Sequence, residues 1–561
     1  MIKKENYLLL IPAFTLITFI TLFLCRQADT NMLVRWSWVF ENLNFIDVLL
    51  IMFIGVVFAY ALSSVSFFES YPSGFLFLLS FLWAVSFWGE PDFNVDTSRY
   101  FIQAKHLEVY GAGYFFREWG NNIFAWTDSP LLPFLYGLIF RFFGEEKIYI
   151  QVLTTLMFSL TVVLTYMIGK TLWDEKIGFY AGLLLLGIPY IFTQVPLMMV
   201  DIGTMFFFTL AIFTYITAME RGSLSLIIIS AFTVFLALFV KYSTWPMFSI
   251  LLIILFVYMK KDSRIAIRSG GLIAFIAAML AAPIVILKYD VILEQIKVLV
   301  GYQKPVMDQW NETYISIFLF QVHPFITILS MFSVYIAIKK KDLKYIIISY
   351  LLILMFIFKI SLMRYTIPIF PMLALMASYG LNELRSIRAR RLIALSVVTF
   401  SFILSFHVFL PFLKQHNSIT MKNAGELLNS LNVEEVEVYT LPQLEGEINP
   451  AVAVPLLDLA TQKRILYNYQ INSGFGPRLS EEKMKMSLVR FSWEYKNPEF
   501  YETNNNNISE DNTAVVVVSS MPDQALPDYV KEKIKNRSIL KIFNTPGIGM
   551  FDHKAIVSIY K

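Results

Sequence analysis

The sequence predicts a polytopic α-helical membrane protein that carries a small α/β domain outside the membrane at its C-terminal end. Three observations predict it. Hydrophobic residues fill 57% of the 561 positions and charged residues only 16%, where a soluble domain carries roughly a quarter of its residues charged. Apolar runs of roughly 20 residues, long enough to cross a bilayer, recur as far as residue 413. After Lys414 the composition changes to that of a soluble domain of roughly 145 residues, a usual size for one core.

In chain order, spans are expected near 7–24, 46–67, 74–89, 149–169, 177–194, 200–219, 224–240, 243–259, 269–287, 314–337, 344–362, 365–382 and 392–412, about thirteen in all. The apolar segment 130–143 is short and bounded by prolines, and is expected to lie along the membrane surface. Residues 20–28 offer no small-x-small cleavage site, so the first run reads as an uncleaved anchor. Cys25 is the only cysteine, which excludes an intramolecular disulfide. The net charge of +4 is small for this length and gives no argument for nucleic acid. The placement of the basic residues is more informative. Lys3 and Lys4, Lys170 and Lys176, Arg221, Lys260 to Arg268, Lys339 to Lys344 and Arg385 to Arg391 fall in alternate loops, which are therefore expected to be cytoplasmic. The N-terminus then lies inside, and the loop near 90–148, the Asp201 end of its span, the 288–313 loop and residues 414–561 lie outside.

Within 414–561, Val436 to Leu441, Arg464 to Tyr469, Thr513 to Ser519 and Ala555 to Tyr560 read as strands, with helices near 421–431 and 526–536. The Asn504 to Asn507 run reads as a loose loop. Asn311-Glu-Thr, Asn507-Ile-Ser and Asn536-Arg-Ser are glycan acceptor triplets on the outer side, though such triplets are common by chance.

The polar stretch from Trp88 to Gly144 is the longest break in the apolar pattern, and a loop this long between spans is seldom a mere connector. Asp96, Tyr100, Ala104 and Leu107 stand four, four and three residues apart, on one face of a helix that starts just after Asp96. Trp126-Thr-Asp128-Ser-Pro130 then turns the chain. Few charges interrupt the spans, and those that do crowd toward the outer ends: Asp96, Asp128, Asp201, Lys241, His323, Lys359 and Arg364. Ionisable groups at such a boundary are costly to desolvate and are often functional where they converge. A carboxylate facing several cations suits a base that activates an acceptor while the cations stabilise a departing phosphate. Arg364 can grip phosphate oxygens with two prongs, and Lys241 can add a point charge.

Plainer roles stand beside these. Asp96 and Asp201 can each cap the helix that follows, and Lys241 and Arg364 can snorkel to lipid headgroups. His323-Pro324 reads as a capped span end, His106 as an exposed loop residue, and the outer Trp and Tyr residues as an interfacial belt. None shows metal-ligand spacing.

Asp96-x3-Tyr100-x3-Ala104 in the first large outer loop, followed by Pro130-Leu-Leu-Pro133 and Phe143-Gly144, resembles the polytopic GT-C glycosyltransferases that use polyprenyl-phosphate sugars. Within that fold the chain is most similar to the protein O-mannosyltransferase and aminoarabinose-transferase group. Met199-Val-Asp201-Ile-Gly-Thr, Leu238-Phe-Val-Lys241-Tyr-Ser and Arg364-Tyr-Thr-Ile-Pro368-Ile-Phe-Pro371 agree with it, the last most specifically, over residues 90–385. The resemblance implies that Asp96 is the catalytic carboxylate, supported by Tyr100 and Asp128. It makes Asp201 a second acid of the outer cavity, and Lys241 and Arg364 partners of the donor phosphate. No strong metal-ligand set stands out, but Asp96 and Asp201 would share a divalent ion if they converge. Relatives often carry a second acid directly after the first, where this chain has Thr97. Aminoarabinose-type members often carry Lys-Pro-Pro where this chain has Asp128-Ser129-Pro130, which points away from lipid A modification. Two apolar spans, 7–24 and 46–67, stand ahead of the one that relatives usually show before the loop, so residues 1–67 include an extension.

The expected function is transfer of a sugar from a polyprenyl (dolichyl or undecaprenyl) phosphate to a protein, a lipid-linked glycan or an envelope polymer on the outer face. Inversion follows from the group, with one base and no evident covalent nucleophile. The alternative is a lipid-linked substrate transporter or flippase, although no inverted repeat is visible and the charges avoid the midplane.

Overall fold

The computed structural model describes residues 6–92, 94–303, 312–416, 419–441, 450–468, 496–502, 512–544 and 555–561. Asn311-Glu-Thr, Asn507-Ile-Ser and the Asn504 to Asn507 run fall wholly or partly outside them; Asn536 is exposed just past a short helix.

Helices built from apolar runs dominate the chain up to Leu413. Among the described residues seven are long and apolar enough to cross a membrane: Tyr7–Leu24, Phe45–Leu62, Lys147–Leu172, Asp201–Arg221, Tyr242–Met259, Ser263–Leu287 and Ile387–Leu413. The other six expected spans coincide with the shorter helices Pro72–Val85, Glu175–Leu186, Leu224–Leu238, Pro324–Lys340, Tyr345–Ile357 and Phe370–Asn382. Polar residues set their starts. Asn44, Asp174, Asp262, His323 and Ser386 each accept a backbone N–H of the helix that follows, satisfying donors that would otherwise be orphaned. The His323-Pro324 expectation is thereby met.

Burial within the bundle is uneven. The helices Glu175–Leu186 and Phe370–Asn382 are buried almost all round, whereas Ser263–Leu287 is largely exposed. Small residues allow the closest crossings, as in other helical membrane proteins. A Cβ on Gly169 would come within 2.6 Å of the Gly178 Cα, so the helices on either side of the Trp173 turn meet backbone to backbone.

Three of the loops expected to be cytoplasmic, at Lys170 to Lys176, Lys339 to Lys344 and Arg385 to Arg391, meet at one end of this bundle. Arg391 pairs with Glu69 at 2.8 Å, Lys340 with Glu383 at 2.5 Å, and Lys344 donates to the Leu172 carbonyl at 2.6 Å. Arg388 reaches Ser63 and Trp173 donates to Asp342.

The C-terminal region builds a five-stranded sheet in the order β2-β1-β3-β5-β4, from β1 (Glu435–Thr440), β2 (Arg464–Tyr467), β3 (Thr513–Ser519), β4 (Ile539–Phe543) and β5 (Ile556–Tyr560). β1 runs parallel to β2 and to β3; β5 runs antiparallel to β3 and β4. All seven residues of β3 are buried, as a central strand covered on both faces requires. Alternate residues serve the two faces. Val436, Val438, Val516 and Val518 pack with the helices Ile419–Ser430 and Pro450–Asp458; Tyr439, Val515 and Val517 pack with Val530 of Asp528–Ile534. β4 and Pro450–Asp458 are additions to the predicted elements. β4 is a mostly exposed edge strand with Lys541 within it, and Pro455 obscures the helix.

Candidate active site

The outer loop begins with a turn in which Asn94 accepts the Asp96 N–H at 3.0 Å, and a helix then runs Asp96–Tyr110. Tyr100, Ala104 and Leu107 of the expected face are all buried. Their neighbour is the helix Leu131–Phe143, which approaches closely because Gly137 has no side chain: a Cβ there would lie 2.6 Å from the Leu107 Cβ and 2.7 Å from the Ala104 carbonyl oxygen. Helix Tyr289–Val298 braces the loop from beyond. Gln295 donates to the Asp128 carbonyl at 2.9 Å and accepts the Tyr242 hydroxyl at 2.7 Å, while Lys288 donates to the carbonyls of Arg117 and Trp119.

Four stretches far apart in sequence converge on one ion cluster. Arg364 Nη1 donates to Asp96 Oδ2 at 3.0 Å and Arg364 Nε to Asp201 Oδ2 at 3.2 Å, so one guanidinium spans the two carboxylates. Lys241 Nζ meets the other Asp201 oxygen at 2.5 Å and lies 4.7 Å from the centre of the Tyr365 ring. Arg99, one turn on from Asp96, contacts it at 3.4 Å and holds Asp128 with two prongs, at 2.5 and 3.0 Å. Gln103 donates to Asp128 at 3.0 Å, and Tyr100 lies beneath the Arg99 guanidinium at 5.2 Å.

The site residues expected from the sequence, Asp96, Asp201, Lys241, Arg364, Tyr100 and Asp128, therefore come together. Their plainer roles do not hold. Asp96 and Asp201 each occupy the first position of a helix, and neither side chain accepts a capping hydrogen bond; the positive end of each helix still favours the carboxylate. Lys241 and Arg364 turn inward to buried carboxylates instead of snorkelling. His106, expected in an exposed loop, is buried in the Asp96–Tyr110 helix against Tyr114 and Phe500, and burial pushes its pKa down to about 4. Lys359 is exposed and joins none of these pairs.

Electrostatics separates the two loop carboxyls. Burial raises Asp96, but Arg99 and Arg364 outweigh it and hold the group below its ordinary value, so it stays ionised. Burial prevails at Asp128, which is raised in spite of Arg99.

Arg99, Asp92 and Lys147 escaped the reading of the sequence. Arg99 carried a signal, its i,i+3 spacing from Asp96. Asp92 pairs with Lys147 at 2.7 Å, accepts the Met198 N–H at 2.8 Å and accepts the Thr97 hydroxyl at 3.1 Å. It thereby ties the loop to the turn just before Asp201, and Thr97, which stands where relatives often have an acid, serves as its donor. Among the described residues no group of three or more His, Cys, Asp or Glu is arranged to hold a metal ion. Asp96 and Asp201 converge on the Arg364 guanidinium, an arrangement that does not fit a divalent ion held between them.

An apolar cavity of about 250 Å³ opens nearby, lined by Phe116, Trp119, Phe134, Phe235 and Tyr242 among others. On the opposite flank the C-terminal region docks on the Asp96–Tyr110 helix. Lys105 pairs with Asp458 at 2.6 Å and Glu145 at 2.9 Å, and the Tyr501 hydroxyl donates to the same Asp458 oxygen at 2.7 Å. Val95 joins the apolar core beneath the sheet.

Residues 127–287 match the family model described as dolichyl-phosphate-mannose-protein mannosyltransferase. No curated protein matches the chain. Its structure is similar to that of ArnT from Cupriavidus metallidurans bound to undecaprenyl phosphate, with a TM-score of 0.53 and 12% identity over 87% of this chain and 98% of that one. It is also similar to the archaeal oligosaccharyltransferase AglB from Archaeoglobus fulgidus in complex with an inhibitory peptide and a dolichol-phosphate, with a TM-score of 0.50 and 13% identity over 81% and 70% of the two chains. The chain is a membrane protein of the GT-C fold, and its match to the dolichyl-phosphate-mannose-protein mannosyltransferase model spans the turn at Asp128, Asp201 and Lys241.

Proposed function

We propose that the protein is a glycosyltransferase that moves a sugar from a polyprenyl-phosphate donor to an acceptor on the outer face of the membrane. The observation that carries this reading is the shared guanidinium: Arg364 joins Asp96 to Asp201 and Lys241 in one buried cluster. A base and two cations thereby stand within a few ångströms, as displacement of a phosphate from a sugar carbon requires.

In the reaction, Asp96 accepts the proton of the acceptor group, whose heteroatom attacks the anomeric carbon. The bond from that carbon to the phosphate oxygen breaks with inversion. Arg364 and Lys241 take up the charge of the departing polyprenyl phosphate, and Asp201 holds both cations in place. Arg99 orients Asp96 and is itself fixed by Asp128, with Tyr100 beneath it. The donor lipid enters laterally, with isoprenoid units in the apolar cavity that Tyr242 lines next to Lys241. Bound polyprenyl phosphates in ArnT and AglB support a donor of this chemistry, and the inhibitory peptide in AglB favours a protein among the candidate acceptors. Residues 1–413 form the membrane part with a cytoplasmic N-terminus, and residues 414–561 form an extracytoplasmic domain that covers the site and helps select the acceptor. Clustering of the basic loops at the opposite end supports this orientation.

Purified protein given a labelled polyprenyl-phosphate sugar tests the reading. Release of polyprenyl phosphate by the native protein and not by Asp96→Asn is expected. A donor bond left whole by the native protein in the presence of peptide and glycan acceptors would sink it. Glycan mass profiling of a deletion strain complemented with either form then names the sugar.

A further inference from the structure

The extension before the catalytic loop has a definite structural partner. Between the helices Leu10–Leu24 and Phe45–Leu62 the chain forms a loop whose polar side chains face inward. Asp29 is 1% exposed and Asn31 fully buried. Asp29 accepts the N–H groups of Asn31 at 3.1 Å and Trp36 at 2.7 Å, the Ser316 hydroxyl at 2.5 Å and the Gln321 side-chain amide at 2.7 Å. Asn31 in turn accepts from the backbone of Leu33 and Val34, and Trp36 packs on Phe320. The loop is thus locked to residues 312–321, nearly 300 positions away in sequence.

Glu312 carries the connection to the active site. Its Oε1 accepts the Met32 N–H at 2.8 Å and the Asn31 side-chain amide at 3.2 Å, while its Oε2 accepts the Met363 N–H at 2.5 Å. Met363 is the first residue of the short helix Met363–Thr366, and its N–H is one of the donors that a helix start leaves unsatisfied. Arg364 is the next residue. Among the described residues neither Asp29 nor Glu312 pairs with a Lys or Arg, so two carboxyls are kept buried on hydrogen bonds alone. Such burial is costly unless every acceptor is matched, and both carboxyls direct their acceptor sites at backbone donors. Nothing in the proposed chemistry uses either group.

We propose that Glu312, clamped by the loop at Asp29 to Trp36, is a positioning residue that fixes the turn presenting Arg364 to the donor phosphate. This rests on the donor reading given above. The extension then braces Glu312 from behind, and Glu312 holds the Arg364 turn so that the guanidinium meets Asp96, Asp201 and the phosphate in one geometry.

The test uses full-length protein in detergent, with undecaprenyl phosphate as the probe and thermal unfolding measured alongside. Native protein binds and Arg364→Gln binds far less. Glu312→Ala weakens binding on the order of tenfold, the scale of one buried donor left unsatisfied, and Glu312→Gln, which keeps one acceptor oxygen, falls between. Ile227→Ala, a buried change in the helix Leu224–Leu238 away from this loop, is the control for general loss of stability. A loss of affinity in Glu312→Ala beyond that of Ile227→Ala, compared at matched unfolding temperature, supports the positioning role. Native affinity in Glu312→Ala, or a loss no greater than that of Ile227→Ala, overturns it while the donor reading stands. Absence of binding by the native protein, or native affinity in Arg364→Gln, brings down the donor reading and the inference with it.

Discussion

The two ends of the helix bundle use the same residue types to different effect. At the basic end, Lys170 and Glu175 pair while 52% and 56% exposed, and Lys340 and Glu383 while 50% and 27% exposed. At the other end, Arg364 and Asp201 pair while 14% and 1% exposed. Water screens the first kind, which contributes little beyond orienting loops. The second kind is desolvated, so each member depends on the others, and loss of one leaves an uncompensated charge. Ion pairs inside the protein boundary therefore mark where this molecule spends stability on geometry, and that is where its chemistry is proposed.

The largest effect should come from Asp96→Asn, which keeps the shape and removes the base. Sugar transfer is expected to fall about 10²- to 10⁴-fold with little change in donor binding, measured as single-turnover release of polyprenyl phosphate. Transfer within a few-fold of native would make the cluster structural, like the pairs at the opposite end. Asp201→Ala should come next. It strands Arg364 and Lys241, and a loss on the order of 3–5 kcal/mol is expected, read as denaturant unfolding in detergent. Lys105→Met removes the pairs to Asp458 and Glu145 but keeps the aliphatic stem among Phe101, Phe500 and Tyr501. Faster proteolytic release of the C-terminal region is expected, with the membrane part intact.

The carboxyls of the two ends should also answer differently to pH. Burial raises Glu312 from 4.5 to about 7 and Asp29 from 3.8 to about 6, whereas hydrogen bonds from Arg391 lower Glu69 at the basic end. A carboxyl raised on folding contributes stability that is complete below its unfolded pKa and is lost as pH rises through the folded value. The unfolding temperature should therefore drop between pH 4.5 and about 7, and Glu312→Gln should flatten the upper part of that slope. Glu69→Gln should leave the slope as it is, because the contribution of Glu69 is already present above its unfolded value of 4.5. The smallest effect belongs to Lys340→Ala, expected to lie within about 1 kcal/mol of native; a larger loss would erase the contrast between the ends.

Local pattern alone determined a good deal. Apolar length placed the helices, and alternation of loop charges grouped the three basic loops that meet at one end. Alternating and apolar runs found four of the five strands among the described residues, and the i,i+4 spacing after Asp96 found the helix Asp96–Tyr110. These are properties of neighbouring residues, which sequence displays directly. Charge at span ends, read with the resemblance, also named Asp96, Asp201, Lys241 and Arg364. Only the tertiary structure decided what those groups do to one another. Asp96 and Arg364 stand 268 positions apart, and no periodicity tells whether a basic residue at a span end faces lipid or a buried carboxylate. Asp29 and Glu312 stood out by no local pattern, since Ser316 and Gln321 for the one and Met32 and Met363 for the other are brought up only by the fold. His106 was misplaced because its burial comes from Tyr114, across the turn at Gly111, and from Phe500, a contact that exists only once the C-terminal region has docked. Burial of a charge is set by what packs around it, and that is a property of the fold.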